Sequence, residues 1–153
     1  MTGVNWLSKS ELRAWRALQL MQMRLTAELA RQVADDSSLS YADYVVLVAL
    51  TAEEEGRMRA LELARSLGWE QSRLSHHVAR MVERGLVKKE KCDSDRRGAY
   101  VVVTAEGRRQ LAEAAPGHVE AVRRLFIDRT TGDELEVLAR VSERVLGGLD
   151  ELG

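Results

Sequence analysis

The chain has 153 residues, 45% hydrophobic and 31% charged, and its 23 Lys and Arg against 24 Asp and Glu leave a net charge of −1. That length suits one domain with a proper core and helical extensions, and the composition is ordinary for a soluble, helix-rich protein. A single cysteine excludes an internal disulfide framework, and the longest apolar stretch, Tyr44–Leu50, falls far short of a membrane span.

In chain order, Ser8 with Glu11 opens a helix predicted over about 9–34, and Ser40 with Asp43 opens one over about 41–54. In both, a hydroxyl precedes an acid by three residues, so the hydroxyl accepts a free backbone N–H and the acid returns toward the cap. A short helix, Arg59–Leu67, passes through the Gly68-Trp69 turn into Gln71–Arg84, whose start at Glu70 is a weaker cap. Gly85 ends that helix. Leu86-Val87 and Tyr100–Val103 then read as a two-stranded hairpin with a polar, extended tip. Helices over about 105–128 and 132–150 follow, the second opened by Thr131 with Glu134. Pro116, the only proline, is expected to kink or break the first of them.

Helix, turn, helix, strand, charged loop, strand is the order of a winged helix-turn-helix, which sets one helix in a major groove and a loop against the backbone or minor groove. Charge supports this locally. Residues 57–109 carry 13 basic and 7 acidic side chains, net +6, and the remainder 10 and 17, net −7. Screening beyond roughly 8–10 Å keeps the acidic flanks from cancelling the basic middle. They repel DNA from the wrong faces instead.

In Gln71–Arg84 the apolar stripe Leu74, Val78, Met81 and Val82 turns inward. Ser72, Arg73, His76, Ala79, Arg80 and Glu83 then face outward, with Ser75 and His77 on the flanks. Ser72, Arg73, Ser75 and His76 supply hydroxyls for phosphates or base edges, a guanidinium for guanine and an imidazole donor, and Arg80 adds a second cation. On a helix without such neighbours, Arg73 and Arg80 would read as an ordinary solvated face. In Asp95-Arg96-Arg97-Gly98, an arginine at a hairpin tip fits a narrow minor groove, and Asp95 can fix the Arg97 guanidinium. By itself the same tetrapeptide is a surface turn with a salt bridge. The first helix (Leu12, Trp15, Leu18, Leu20, Met21, Met23) and the last (Leu135, Leu138, Val141, Val145, Leu146, Leu149) are more apolar than a small lobe needs. A second copy of the chain would cover them as an isologous dimer. A larger monomeric helical core is the other reading.

The stretch Leu67–Val87, then Asp95-Arg96-Arg97-Gly98 and Val103-Thr104-Ala105-Glu106-Gly107, closely resembles the MarR family of bacterial transcriptional regulators, in element order from about Leu12 to Leu149. The resemblance implies one domain over 1–153, mainly α with a small β-hairpin wing. Its winged helix-turn-helix lobe spans 36–107, and its dimerization helices span 8–34 and 108–150. It also implies a homodimer reading a palindromic operator in double-stranded DNA, usually as a repressor, and often released by a small, commonly phenolic, effector. Carried over, recognition contacts fall on Ser72, Arg73, Ser75 and His76, and wing contacts on Arg97 with Arg96 beside it. The family usually caps its recognition helix with Ser, Thr or Asp, whereas this chain has Glu70.

Trp15, Tyr44 and Trp69 are candidates to line an aromatic effector's cleft, against a reading as ordinary packing. Cys92, beside Lys91, is a candidate redox sensor because a neighbouring cation can lower a thiol's pKa. Family members that sense oxidants carry their cysteine near the first helix, where this chain has none. His76, His77 and His118 lack metal-ligand spacing, and no nucleophile–base pair or phosphate loop appears, so no enzyme, metal or cofactor is expected. Met1–Lys9 holds no signal-peptide core, so the expected compartment is cytoplasmic. The expectation is therefore a DNA-binding regulator, with a winged-helix protein–protein adaptor or a regulator sensing oxidants through Cys92 as alternatives.

Overall fold

The computed structural model describes residues 3–91 and 98–153. Chain order is α1 (Lys9–Asp36), α2 (Tyr41–Thr51), β1 (Arg57–Arg59), α3 (Ala60–Leu67), α4 (Gln71–Glu83), β2 (Val87–Lys91), β3 (Ala99–Val103), α5 (Ala105–Leu125), a 3-10 turn (Ile127–Arg129) and α6 (Gly132–Asp150). The architecture is mainly helical with a small antiparallel sheet, as a winged helix-turn-helix requires. None of the described helices is long and apolar enough to cross a membrane.

All three hydroxyl–acid pairs form reciprocal capping boxes at the starts of α1, α2 and α6. Glu70 does not cap: its side chain makes no capping hydrogen bond to α4. A fourth hydroxyl, Thr104, starts α5 by accepting the Gly107 N–H at 3.0 Å, and lies 2.6 Å from the Gly85 carbonyl oxygen. It ties the end of α4 to the beginning of α5.

Several expectations need correction. Among the described residues the sheet has three strands, in the order β1-β3-β2, with Met58 opposite Val101 and Lys89 opposite Val101 on the other side. β1 escaped notice because three residues cannot display a period of two. α2 stops at Thr51, three residues early, ahead of a turn in which Gly56 takes φ +64°. α5 runs unbroken across Pro116 to Leu125. Proline there forfeits one backbone hydrogen bond, but Ala114 two residues earlier sits in the core and holds the segment in place. The buried stripe of α4 is Leu74, His77, Val78 and Met81, while Val82 is 40% exposed. Positions i, i+3, i+4 and i+7 make a truer helical face than the expected set.

Two compact units are separable, Met1–His118 and Val119–Gly153. The core lies in the first. Val46, Leu47 and Leu50 of α2, Leu63 of α3, Leu74, Val78 and Met81 of α4, and Leu86 and Val101 are all essentially inaccessible. Within the second, no residue of α6 is buried, and Val137, Val141, Val145, Leu146 and Leu149 are each at least 44% exposed.

Candidate nucleic-acid interface

The turn between α3 and α4 is built by Gly68, at φ +67°. Its N–H reaches Arg65 O, and the Trp69 N–H returns to Ala64 O at 2.9 Å, so two carbonyls of the last turn of α3 are satisfied while the chain reverses. An L side chain at that φ is strained, which is why glycine stands there. The reversal lets Trp69 fold back against the core and starts α4 in a fixed direction.

From that start Ser72, Arg73, Ser75, His76 and Arg80 are all exposed, and Leu74, His77, Val78 and Met81 are buried. The five α4 residues expected to meet DNA therefore share the solvent side of one helix. No residue of the first turn of α4 is acidic and no side chain caps its free N–H groups, though the N-cap residue itself is the acid Glu70.

Two arginines on that side are not free rotors. The Arg73 guanidinium carbon sits 4.2 Å from the centroid of the Trp69 ring. Arg80 Nη2 lies 3.2 Å from His77 Nδ1, and His77 meets the Trp69 ring edge-on, centroids 5.6 Å apart at 87°. The other imidazole nitrogen, Nε2, faces Asp43 Oδ1 at 2.9 Å. Asp43 is fully buried. Its Oδ2 accepts from Arg84 Nη1 at 2.7 Å and from the Ser40 N–H at 2.9 Å, and Arg84 Nη2 donates to Ser38 O at 3.0 Å. Burial pushes the Asp43 carboxyl up, but the Ser40 N–H and Arg84 outweigh it and hold its pKa below the ordinary value of 3.8. Burial pushes His77 below 6.5, with Arg80 and Arg84 adding to the effect and Asp43 opposing it.

On the sheet, Lys88, Lys89 and Lys91 are exposed. Part of the basic excess is internally paired. Arg57 contacts Glu55 at 2.8 Å and covers Tyr100 at 4.3 Å, Lys88 contacts Glu90 at 3.2 Å, and Arg109 lies between Glu106 and Glu113 at 2.6 Å from each. Cys92, Asp95, Arg96 and Arg97, which carry the wing and redox expectations, lie outside the described residues.

The three aromatics proposed for an effector cleft have different immediate neighbours. Trp15 is 53% exposed on α1, Trp69 lies under Arg73, and Tyr44 is buried against His118, ring centroids 4.5 Å apart. Tyr41 flanks the same imidazole at 6.2 Å. His118 Nδ1 and Gln32 Oε1 are buried with no hydrogen-bond partner among the described residues, and burial lowers the His118 pKa below 6.5. Among the described residues, no group of three or more His, Cys, Asp or Glu side chains gathers in a way that could hold a metal ion.

In the sequence Asp43 reads only as a cap and His77 as a flanking residue without metal-ligand spacing, and nothing there links either to Arg84. The i, i+3, i+4, i+7 face through Leu74 would have turned His77 inward. Its pairing with an acid 34 positions earlier is a tertiary fact that no spacing displays.

A family model described as the MarR family matches residues 37–98. The chain is similar to AbsC, a MarR family transcriptional regulator from Streptomyces coelicolor, at 36% identity and a TM-score of 0.86, covering 97% of this chain and 99% of that one. It is equally similar to Sco3205, a MarR family transcriptional regulator from the same organism solved in complex with DNA. There the identity is 36%, the TM-score 0.88, and the cover 97% and 93%. The transcriptional regulator HosA of Escherichia coli O111:H- is 29% identical over 136 residues, 88% of this chain and 95% of that protein.

Proposed function

This chain belongs to the MarR family of transcriptional regulators, and we propose that it acts as a homodimer binding a palindromic operator, with α4 of each copy in a major groove. The observation that carries the reading is the first two turns of α4. Ser72, Arg73, Ser75 and His76 point to solvent there while the opposite side of the same turns is buried. Hydroxyls and an imidazole bond phosphates and base edges, and arginine pairs with guanine O6 and N7. That Sco3205, 36% identical to this chain, was solved in complex with DNA supports duplex DNA as the partner. Half-sites are then about one helical turn apart. Arg96 and Arg97, with Asp95 to orient the latter, remain the proposed wing contacts.

The dimer is supported by apolar surface that the single chain leaves in water. On α6, Val137, Val141 and Val145 recur every four residues in the open, and on α1 Trp15, Leu20 and Met23 are more than half exposed. Exposed apolar stripes of this kind mark association sites. A domain of 1–153 with its DNA-reading lobe at 36–107 and association helices at 8–34 and 108–150 follows from the same reading.

The proposed outcome is repression relieved by a small aromatic effector. Tyr44 is the best supported of the three aromatic candidates, because the buried His118 Nδ1 and Gln32 Oε1 are polar atoms in want of a partner. A planar ligand carrying a hydroxyl or carboxylate would provide one.

Selection of bound fragments from sheared genomic DNA, followed by anisotropy titrations of the recovered duplex and of random duplex, tests the proposal. Recovery of a palindrome, bound more tightly than weak, salt-sensitive random duplex, is expected. No affinity for any duplex at low salt would overturn it and favour a protein–protein adaptor.

A further inference from the structure

We propose that His77 is a positioning residue for DNA recognition, holding Arg73 through Trp69 and Arg80 directly in the orientations they present on the solvent side of α4. This rests on the assignment of α4 to the duplex.

Arg73 and Arg80 are seven residues apart, so they fall within about 20° of one another around the helix and about 10 Å apart along it. A guanidinium on a flexible stem loses rotamer freedom when it docks, and one already seated loses less. Both arginines are seated, and one side chain accounts for both. Arg73 lies over the face of Trp69, and Trp69 is met edge-on by the His77 ring. Arg80 Nη2 approaches His77 Nδ1.

The imidazole has a defined state. A guanidinium only donates, so Nδ1 must accept, and the ring proton belongs on Nε2. That nitrogen faces Asp43 Oδ1, and apart from each other neither atom has a polar partner among the described residues. Asp43 in turn is fixed by the Ser40 cap and by Arg84. A continuous series of contacts thus runs from the buried Asp43 carboxylate in the first turn of α2 to two exposed cations. An apolar residue at 77 would complete the buried stripe of α4 equally well, but would leave Arg80 without an acceptor and Trp69 without its edge contact.

The charges themselves do not depend on this arrangement. Losing His77 should therefore spare nonspecific attraction to phosphates, which follows charge, and reduce discrimination, which follows geometry.

The test uses His77→Leu and Trp69→Leu in the full-length protein. Titrations employ the duplex that wild-type protein selects from a randomised library, with poly(dI-dC) as nonspecific competitor. Both variants should lose on the order of tenfold affinity for the selected duplex. Their affinity for poly(dI-dC) and their salt slopes should stay at wild-type values, and Trp69→Phe should recover most of the loss. A role in stability alone would lower both affinities together. In the Trp69→Leu background, Arg73→Ala should cost much less than it does in wild type, since the seated guanidinium is already lost. An unchanged ratio of selected to nonspecific affinity in Trp69→Leu, or fully additive losses with Arg73→Ala, would overturn the positioning role even if His77→Leu failed to fold. Wild-type protein that bound neither duplex would overturn the interface itself, and that outcome shows in the wild-type titration alone.

Discussion

Nε2 of His77 on α4 stands 2.9 Å from Oδ1 of Asp43 on α2, while Arg84 holds the second carboxylate oxygen at 2.7 Å. The carboxylate is fully buried and also closes the capping box of α2. Asp43→Ala therefore removes a helix cap and strands an imidazole and a guanidinium together. A loss of about 3 kcal/mol in unfolding free energy is expected from urea denaturation, near the low end for breaking a buried ionic contact because Arg84 is partly solvated. A change below about 0.5 kcal/mol, ordinary for a surface site, would contradict this account of the α2–α4 junction.

The same junction sets a pH dependence. His77 and His118 are both held below the ordinary 6.5, so the unfolded chain takes up protons first as pH falls. Stability contributed by the neutral rings is complete above 6.5 and is lost as pH drops through that value toward their folded pKa. Asp43 adds a second loss in stronger acid, since its folded pKa lies below 3.8. Urea midpoints collected on acidification should decline from about pH 6.5, with a shallower slope in His77→Leu. A flat profile down to the carboxylate range would contradict the burial of both imidazoles.

Gly68 offers a backbone test. At φ +67° with open space around its Cα, alanine meets no neighbour and pays only for the left-handed conformation. Gly68→Ala should cost about 1 kcal/mol and weaken DNA binding beyond what unfolding explains, because the turn aims α4. Unchanged affinity alongside reduced stability would separate the turn from recognition.

How much of this was legible in advance follows the range of the interactions. Capping boxes at Ser8, Ser40 and Thr131 are local, and all three formed where spacing indicated. The helix-turn-helix was equally legible, because Gly68, Gly85 and the apolar spacing in α4 act within a few residues. The strand Arg57–Arg59 was not, since it exists only by pairing with β3 some 40 positions onward. Pro116 marks no break, because α5 continues through it while Ala114 packs in the core. On α4, the exposed residues were readable from the helical wheel. The support beneath them was hidden, because Asp43, His77 and Trp69 meet only through tertiary packing.

Association can be tested on α6 without threatening the core. No α6 residue is buried within the single chain, so Val141→Glu with Val145→Glu should leave helicity near wild type. Wild-type protein should sediment as a dimer and the double variant as a monomer at the same concentration. A monomeric wild type would contradict the role given to the apolar face of that helix.

The central claim is that the solvent side of α4 contacts duplex DNA, and Arg73→Ala in a salt-dependent anisotropy titration tests it most directly. On the duplex selected by wild-type protein, the variant should lose roughly 1–3 kcal/mol of binding free energy, with the larger part of the loss confined to that sequence. Wild-type affinity in the variant at every salt concentration would contradict the claim.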